Sequence, residues 1–113
     1  LDEPNASRYA TGFPFADEAF DHIFAGLKLE NGLWTGAITD PQSRLKTTVQ
    51  FGAPFRECVV FTPPHREAIC LEPYSCVSNA YELREQGIDS GLQELAAGES
   101  VQLNMTVTGS IES

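Results

Sequence analysis

The chain has 113 residues, 42% of them hydrophobic, and a formal net charge of -9, with a pI near 4.4. That is one domain's worth of sequence with enough apolar material for a modest core, which excludes a disordered segment. The acidic balance argues against nucleic acid or an anionic membrane as partner, because both require a basic face, and leaves a neutral ligand compatible.

No run approaches the length needed to span a bilayer, and no basic start followed by an apolar segment reads as a signal peptide. The first residue is Leu rather than Met, so the expectation is a processed, truncated or partial chain.

In chain order, residues 1–12 are polar, with Pro4, Asn5, Ser7 and Gly12, and read as a loop entering the domain. Residues 20–29 (FDHIFAGLKL) are strand-like, with Phe20, His22 and Phe24 on one side and Asp21 and Ile23 on the other. Asn31-Gly32 is the strongest hairpin signal, since both positions of a type I′ turn need positive φ. Residues 33–39 are the expected returning strand and carry the single Trp34. Asp40-Pro41-Gln42-Ser43 is the next turn. Residues 44–51 follow as a half-buried strand in which Leu45, Thr47 and Val49 alternate with Lys46, Thr48 and Gln50.

Residues 55–62 (FRECVVFT) make another strand, which Pro63-Pro64 stops. Residues 67–72 form the next strand, followed by a polar loop with at most a helical turn near residues 81–86. A short strand over residues 92–95, a turn at Ala97-Gly98-Glu99 and a last strand over residues 101–107 complete the chain. In that last strand Val101, Leu103, Met105 and Val107 alternate with Gln102, Asn104 and Thr106. No 3.6-residue apolar stripe of useful length appears. Short strands at roughly ten-residue spacing, separated by turn chemistry, predict an all-β antiparallel sandwich.

Cys58, Cys70 and Cys76 are odd in number and lack the spacing of a zinc site. They read as core or loop thiols in a reducing compartment, consistent with the cytoplasm, and no metal or other cofactor is expected.

The segment EAICLEPYSCVSNAYE, residues 67–82, concentrates the chemistry. Ala68, Ile69, Cys70 and Leu71 form a buried-strand run. Glu72 follows at its mouth, held extended by Pro73. Tyr74, Ser75, Ser78, Asn79 and Tyr81 then supply hydroxyl, amide and aromatic groups, which suit a neutral polyhydroxylated ligand.

The run ICLEPYSCVSNAY, followed by GLQELAAGESVQLNMTV, resembles the C-terminal end of the aldose 1-epimerase (galactose mutarotase) family. There a strand ending Leu-Glu-Pro leads into a polar loop, a short strand and a final Gly-Glu hairpin. FDHIFAGL, residues 20–27, is similar to that family's Asp-His-Xaa-Phe strand. The resemblance implies that residues 1–113 are a single β-sandwich segment, the C-terminal part of a longer epimerase domain with a galactose-mutarotase-like supersandwich.

The same resemblance implies interconversion of the α and β anomers of a hexose. Glu72 matches the general base, which takes the proton from the anomeric hydroxyl while an acid protonates the ring oxygen. Enclosure beside apolar strand residues is expected to raise the carboxyl pKa of Glu72 towards the working pH. Asp21 matches the acidic sugar-binding position, with Tyr74 and Asn79 as further substrate contacts.

The family's acid histidine belongs to sequence N-terminal to this segment, and neither His22 nor His65 matches it. His22 is expected on the strand face opposite Asp21. In the loop, Val77, Asn79 and Glu82 stand where the family often has Pro, Asp and Asn. The chain alone is expected to be inactive, and to associate with its own N-terminal portion or with further copies of itself. Arg44, Arg56, Arg66 and Arg84 leave open whether the monosaccharide is phosphorylated.

Two other classes of function fit the same residues. One is a non-catalytic carbohydrate-binding sandwich with Trp34, Tyr74 or Tyr81 as stacking platforms. The other is an assembly role for an incomplete sandwich with open edges.

Overall fold

In a computed structural model, the structure describes residue 9, residues 11–15 and residues 17–113. The entry loop expected over residues 1–12 lies mostly outside the described residues; of those described, Tyr9 and Thr11 are helical. Six strands and a short helix follow: β1 (Asp21–Phe24), β2 (Trp34–Thr39), β3 (Leu45–Phe51), β4 (Glu57–Phe61), β5 (Cys70–Tyr74), α1 (Ala80–Glu85) and β6 (Met105–Ile111). They form two three-stranded antiparallel sheets, ordered β1-β4-β5 and β2-β3-β6. The all-β antiparallel architecture expected from the turn spacing is therefore present.

Residues opposite one another in register share a face, so the pairings sort the side chains. In the first sheet His22, Val60 and Leu71 lie on one face with Phe24 and Cys58. In the second sheet Trp34, Phe51, Val49 and Gly36 do the same. These faces meet: Val49, Phe51 and Cys58 form the buried cluster, with Leu27, Trp34, Phe55, Val60 and Leu71 packed against it. Trp34 lies 4.8 Å from Phe51 between ring centroids and covers Gly36, where any Cβ would run into the indole. At the β1 end, Tyr9, Phe13 and Phe24 pack edge to face or tilted at 5.2 Å. Phe20 is buried and bonded through its backbone to Thr62.

The Asn31-Gly32 turn has the expected positive φ angles, 53° and 78°, and Glu30 and Leu33 exchange both backbone bonds across it. Its arms, however, do not continue as one hairpin. Gly26 takes φ 63°, which a strand cannot accommodate, so β1 ends at Phe24 instead of running to residue 29. The arms then part into different sheets, and β2 pairs with β3. The Asp40 turn forms as read: its carboxylate accepts from the Gln42 and Ser43 amides and from the Ser43 hydroxyl at 2.6 Å.

Two further boundaries differ, and so does one pairing. Residues 92–95 are not a strand, because Gly91 turns the chain at φ 79° and no neighbouring strand offers a ladder. The last strand begins at Met105 rather than residue 101. It pairs with β3 instead of closing a terminal hairpin, so its partners lie far upstream. Its alternation is real, but all seven residues are exposed. Met105, Val107 and Ile111 continue the apolar face of Phe51, Val49 and Leu45 past the edge of the core.

Candidate functional site

The first sheet presents the carboxylates. On β1 the two-residue period sends Asp21 to the face opposite His22. On β5 it puts Cys70, Glu72 and Tyr74 together on the face opposite Leu71. Because Leu71 and Val60 pack toward the second sheet, Asp21, Glu72 and Tyr74 all lie on the face that points away from it. Glu72 is in register with Val59 and Asp21 with Phe61. The two acids are therefore two strands and two residues apart, roughly 12 Å between Cα atoms on ordinary sheet spacings.

Glu72 was expected at a strand mouth, and the structure corrects that: it sits at the centre of β5, with Pro73 also inside the strand. The reason is position in the sheet. β5 is an edge strand bonded only to β4, so the missing N–H of Pro73 need not interrupt a ladder. The strand starts only at Cys70 because β4 ends at its register partner Phe61; the Pro63 turn that precedes it is closed by the Arg66 amide on the Pro63 carbonyl at 2.9 Å. The functional consequence is a firmer mounting for Glu72 than a loop would give.

The Tyr74 hydroxyl donates to Oε2 of Glu72 at 3.3 Å. The Glu72 charge first, then partial loss of water, this hydrogen bond and the more distant Asp21 charge hold the Tyr74 hydroxyl above its ordinary pKa. Asp21, Glu72 and Tyr74 are thus one electrostatic group. Asn79 stands apart: it occupies the left-handed region at φ 62° before α1, and its Nδ2 donates to Oε2 of Glu82 at 2.7 Å. That helix is the turn expected near residues 81–86.

His22 lies on the inner face, as its strand position requires. Its ring sits 5.5 Å from Phe20 and 6.3 Å from Phe24, and Nδ1 accepts the Asp21 amide at 3.1 Å. His65 is in the exposed Pro63 turn, where Nδ1 accepts the Glu67 amide. Among the arginines, Arg56 is bonded to Glu57 and Asp89 and Arg84 to Glu94 while lying over the Tyr81 ring. Trp34, half-buried on Phe51, is part of the core; Tyr81 is the exposed ring at 67%.

One group was not singled out by the sequence reading. Glu57 is 3% exposed; its Oε1 receives Arg56, while its Oε2 is buried without a hydrogen bond. An acid inside the apolar run FRECVVFT was the available signal. All three cysteines are free thiols. Cys58, the buried one, is pushed up to about 11 by burial, with smaller influences from the Glu72 backbone, which lowers it, and the Glu72 charge, which raises it. No cluster of three or more His, Cys, Asp or Glu side chains suited to a metal occurs among the described residues, and no helix among them is long and apolar enough to cross a membrane.

No family model matches the chain, and comparison with curated proteins and with solved structures finds no match.

Proposed function

We propose that this chain carries the base and sugar-binding side of an aldose 1-epimerase-type site that interconverts the anomers of a hexose. The observation that carries the reading is the common face of Asp21, Glu72 and Tyr74, in a chain whose ICLEPY and FDHIF runs resemble that family. In this reading Glu72 removes the anomeric hydroxyl proton as the bond from C1 to the ring oxygen breaks. An acid protonates the ring oxygen, rotation about C1–C2 exposes the other carbonyl face, and reclosure returns both protons. Asp21 accepts hydrogen bonds from ring hydroxyls and fixes the pose.

The acid in this scheme is a histidine outside this segment, since His22 is turned to the inner face. The larger supersandwich of the family belongs to the same proposal. It is supported by the uncovered apolar residues Met105, Val107 and Ile111 and by a cleft of about 830 Å³ between the two sheets, bordered by Phe24, Trp34, Val60 and Leu71. A cytoplasmic setting rests on the three free thiols.

Polarimetry of the full-length polypeptide with fresh α-glucose and α-galactose tests the reading. Glu72→Gln lowers the exchange rate roughly 100-fold or more, whereas Asp21→Asn chiefly weakens sugar binding, by about tenfold. Normal exchange by Glu72→Gln would sink the assignment. Sugar binding without any exchange by the natural sequence would instead favour a carbohydrate-binding module.

A further inference from the structure

We propose that Tyr74 is a positioning residue, whose hydroxyl holds the Glu72 carboxylate aimed, rather than a sugar contact. The inference rests on the reading of Glu72 as the base. Tyr74 follows Glu72 by two positions on one strand, so the pleat stands both side chains on the same face. At that spacing the phenol reaches Oε2 at 3.3 Å. Glutamate has three rotatable side-chain bonds, and on an edge strand it is flanked by a strand on one side only. A second point of attachment is what narrows its swing.

The chemistry of the donor gives the bond its direction. Two carboxylates act on the Tyr74 hydroxyl and keep its proton on through the neutral range, so it faces Glu72 as a donor. Held through Oε2, the carboxylate leaves its other oxygen free to accept the proton from the sugar. The other ionisable groups facing the pair are Asp21 from β1, Glu57 from β4 and Cys70 on β5 itself. Glu57 is the register partner of Tyr74 and is bonded to Arg56. Its salt bridge accompanies the Tyr74–Glu72 bond without supplying the donor to Glu72.

The test compares Tyr74→Phe and Glu72→Gln in the full-length polypeptide, following kcat and KM of anomer exchange. Tyr74→Phe keeps the ring and removes the donor. It is expected to lower kcat about tenfold, with KM changed by about twofold or less. A rise in KM with kcat unchanged would overturn the inference in favour of a direct sugar contact. An unchanged Tyr74→Phe beside an inactive Glu72→Gln would also remove the inference and leave the epimerase reading standing. Wild-type exchange by Glu72→Gln would remove both.

The bond has a readout of its own in the isolated chain. In an NMR titration of the Tyr74 ring, Glu72→Gln is expected to bring its pKa down toward that of an ordinary tyrosine. An unmoved titration would show that the two groups are not coupled.

Discussion

Nε of Arg56 lies 2.8 Å from Oε1 of Glu57, its immediate neighbour in sequence, and the pair joins an open guanidinium to a carboxylate whose side chain is 4% exposed. The other end of the same guanidinium reaches Asp89 at 2.8 Å. Its aliphatic stem packs at Gly91, where a Cβ would come within 2.7 Å of Arg56 Cδ. One side chain therefore ties β4 to the segment that closes the polar loop.

Removing Arg56 is expected to destabilise the chain much more than removing Asp89. Arg56→Ala leaves a buried carboxylate uncompensated and should cost on the order of 2 to 3 kcal/mol, below the full penalty because the guanidinium is partly open to water. Asp89→Ala touches only the exposed end and should cost little. Urea denaturation of both variants checks the order. In a Glu57→Gln background the loss from Arg56→Ala should shrink; an undiminished loss would assign the effect to the Arg56 stem instead.

Cys58 should be chemically silent in the native protein. Burial pushes its thiol up to about 11, so at pH 8 roughly one molecule in a thousand carries the thiolate that reacts. Cys70 and Cys76 are half-buried. Brief iodoacetamide treatment at pH 8 followed by peptide mass mapping is expected to mark those two and spare Cys58 until urea is added. Equal labelling of all three would contradict the packing around Val49 and Phe51.

The Asp40 turn has a predictable response to acid. The Ser43 hydroxyl first, then the Gln42 amide, hold the Asp40 carboxyl below its usual 3.8. A depressed folded pKa means that the stabilisation is fully present above 3.8 and is lost as pH falls through the lower folded value. In an NMR titration, Ser43→Ala should move the Asp40 midpoint upward. The stability difference between Ser43→Ala and the natural sequence should fade once both are titrated below that window, and a difference that persists there would mean the hydroxyl acts through something other than the carboxylate.

The fold class was legible because strand alternation and turn chemistry are local. Asp40 with Ser43 and the positive φ of Asn31 and Gly32 are written in adjacent residues, as is the split between Asp21 and His22. What local pattern could not carry is partner choice. The Asn31-Gly32 turn predicts a reversal correctly, yet the destination of each arm depends on Gly26 and on which apolar faces meet at Phe51 and Cys58. Pro73 read as a strand terminator because its tolerance depends on β5 being at an edge. Of the site residues, Glu72 and Tyr74 share a face by period alone, whereas Asp21 joins them only through the registers of β1 and β5 on β4. Asn79 is bonded to Glu82 because the left-handed turn before α1 presents it there. Glu57 was passed over because its burial is tertiary, and the Arg56 that bonds it is itself anchored by Asp89, more than thirty residues away.

The pairing of β3 with β6 has a consequence for synthesis. Each register pair between them joins residues more than fifty positions apart, while the other side of β3 is satisfied at once by β2 across the Asp40 turn. At roughly 5 to 20 residues per second, β3 waits several seconds on the ribosome with one row of amides and carbonyls unpaired. The loop-closure penalty grows only logarithmically with length, so the cost of the arrangement falls on timing more than on final stability. During that wait, the emerging residues between the two strands contain more acids than arginines. Like charge on those residues disfavours close approach of neighbouring nascent chains to the unpaired edge of β3.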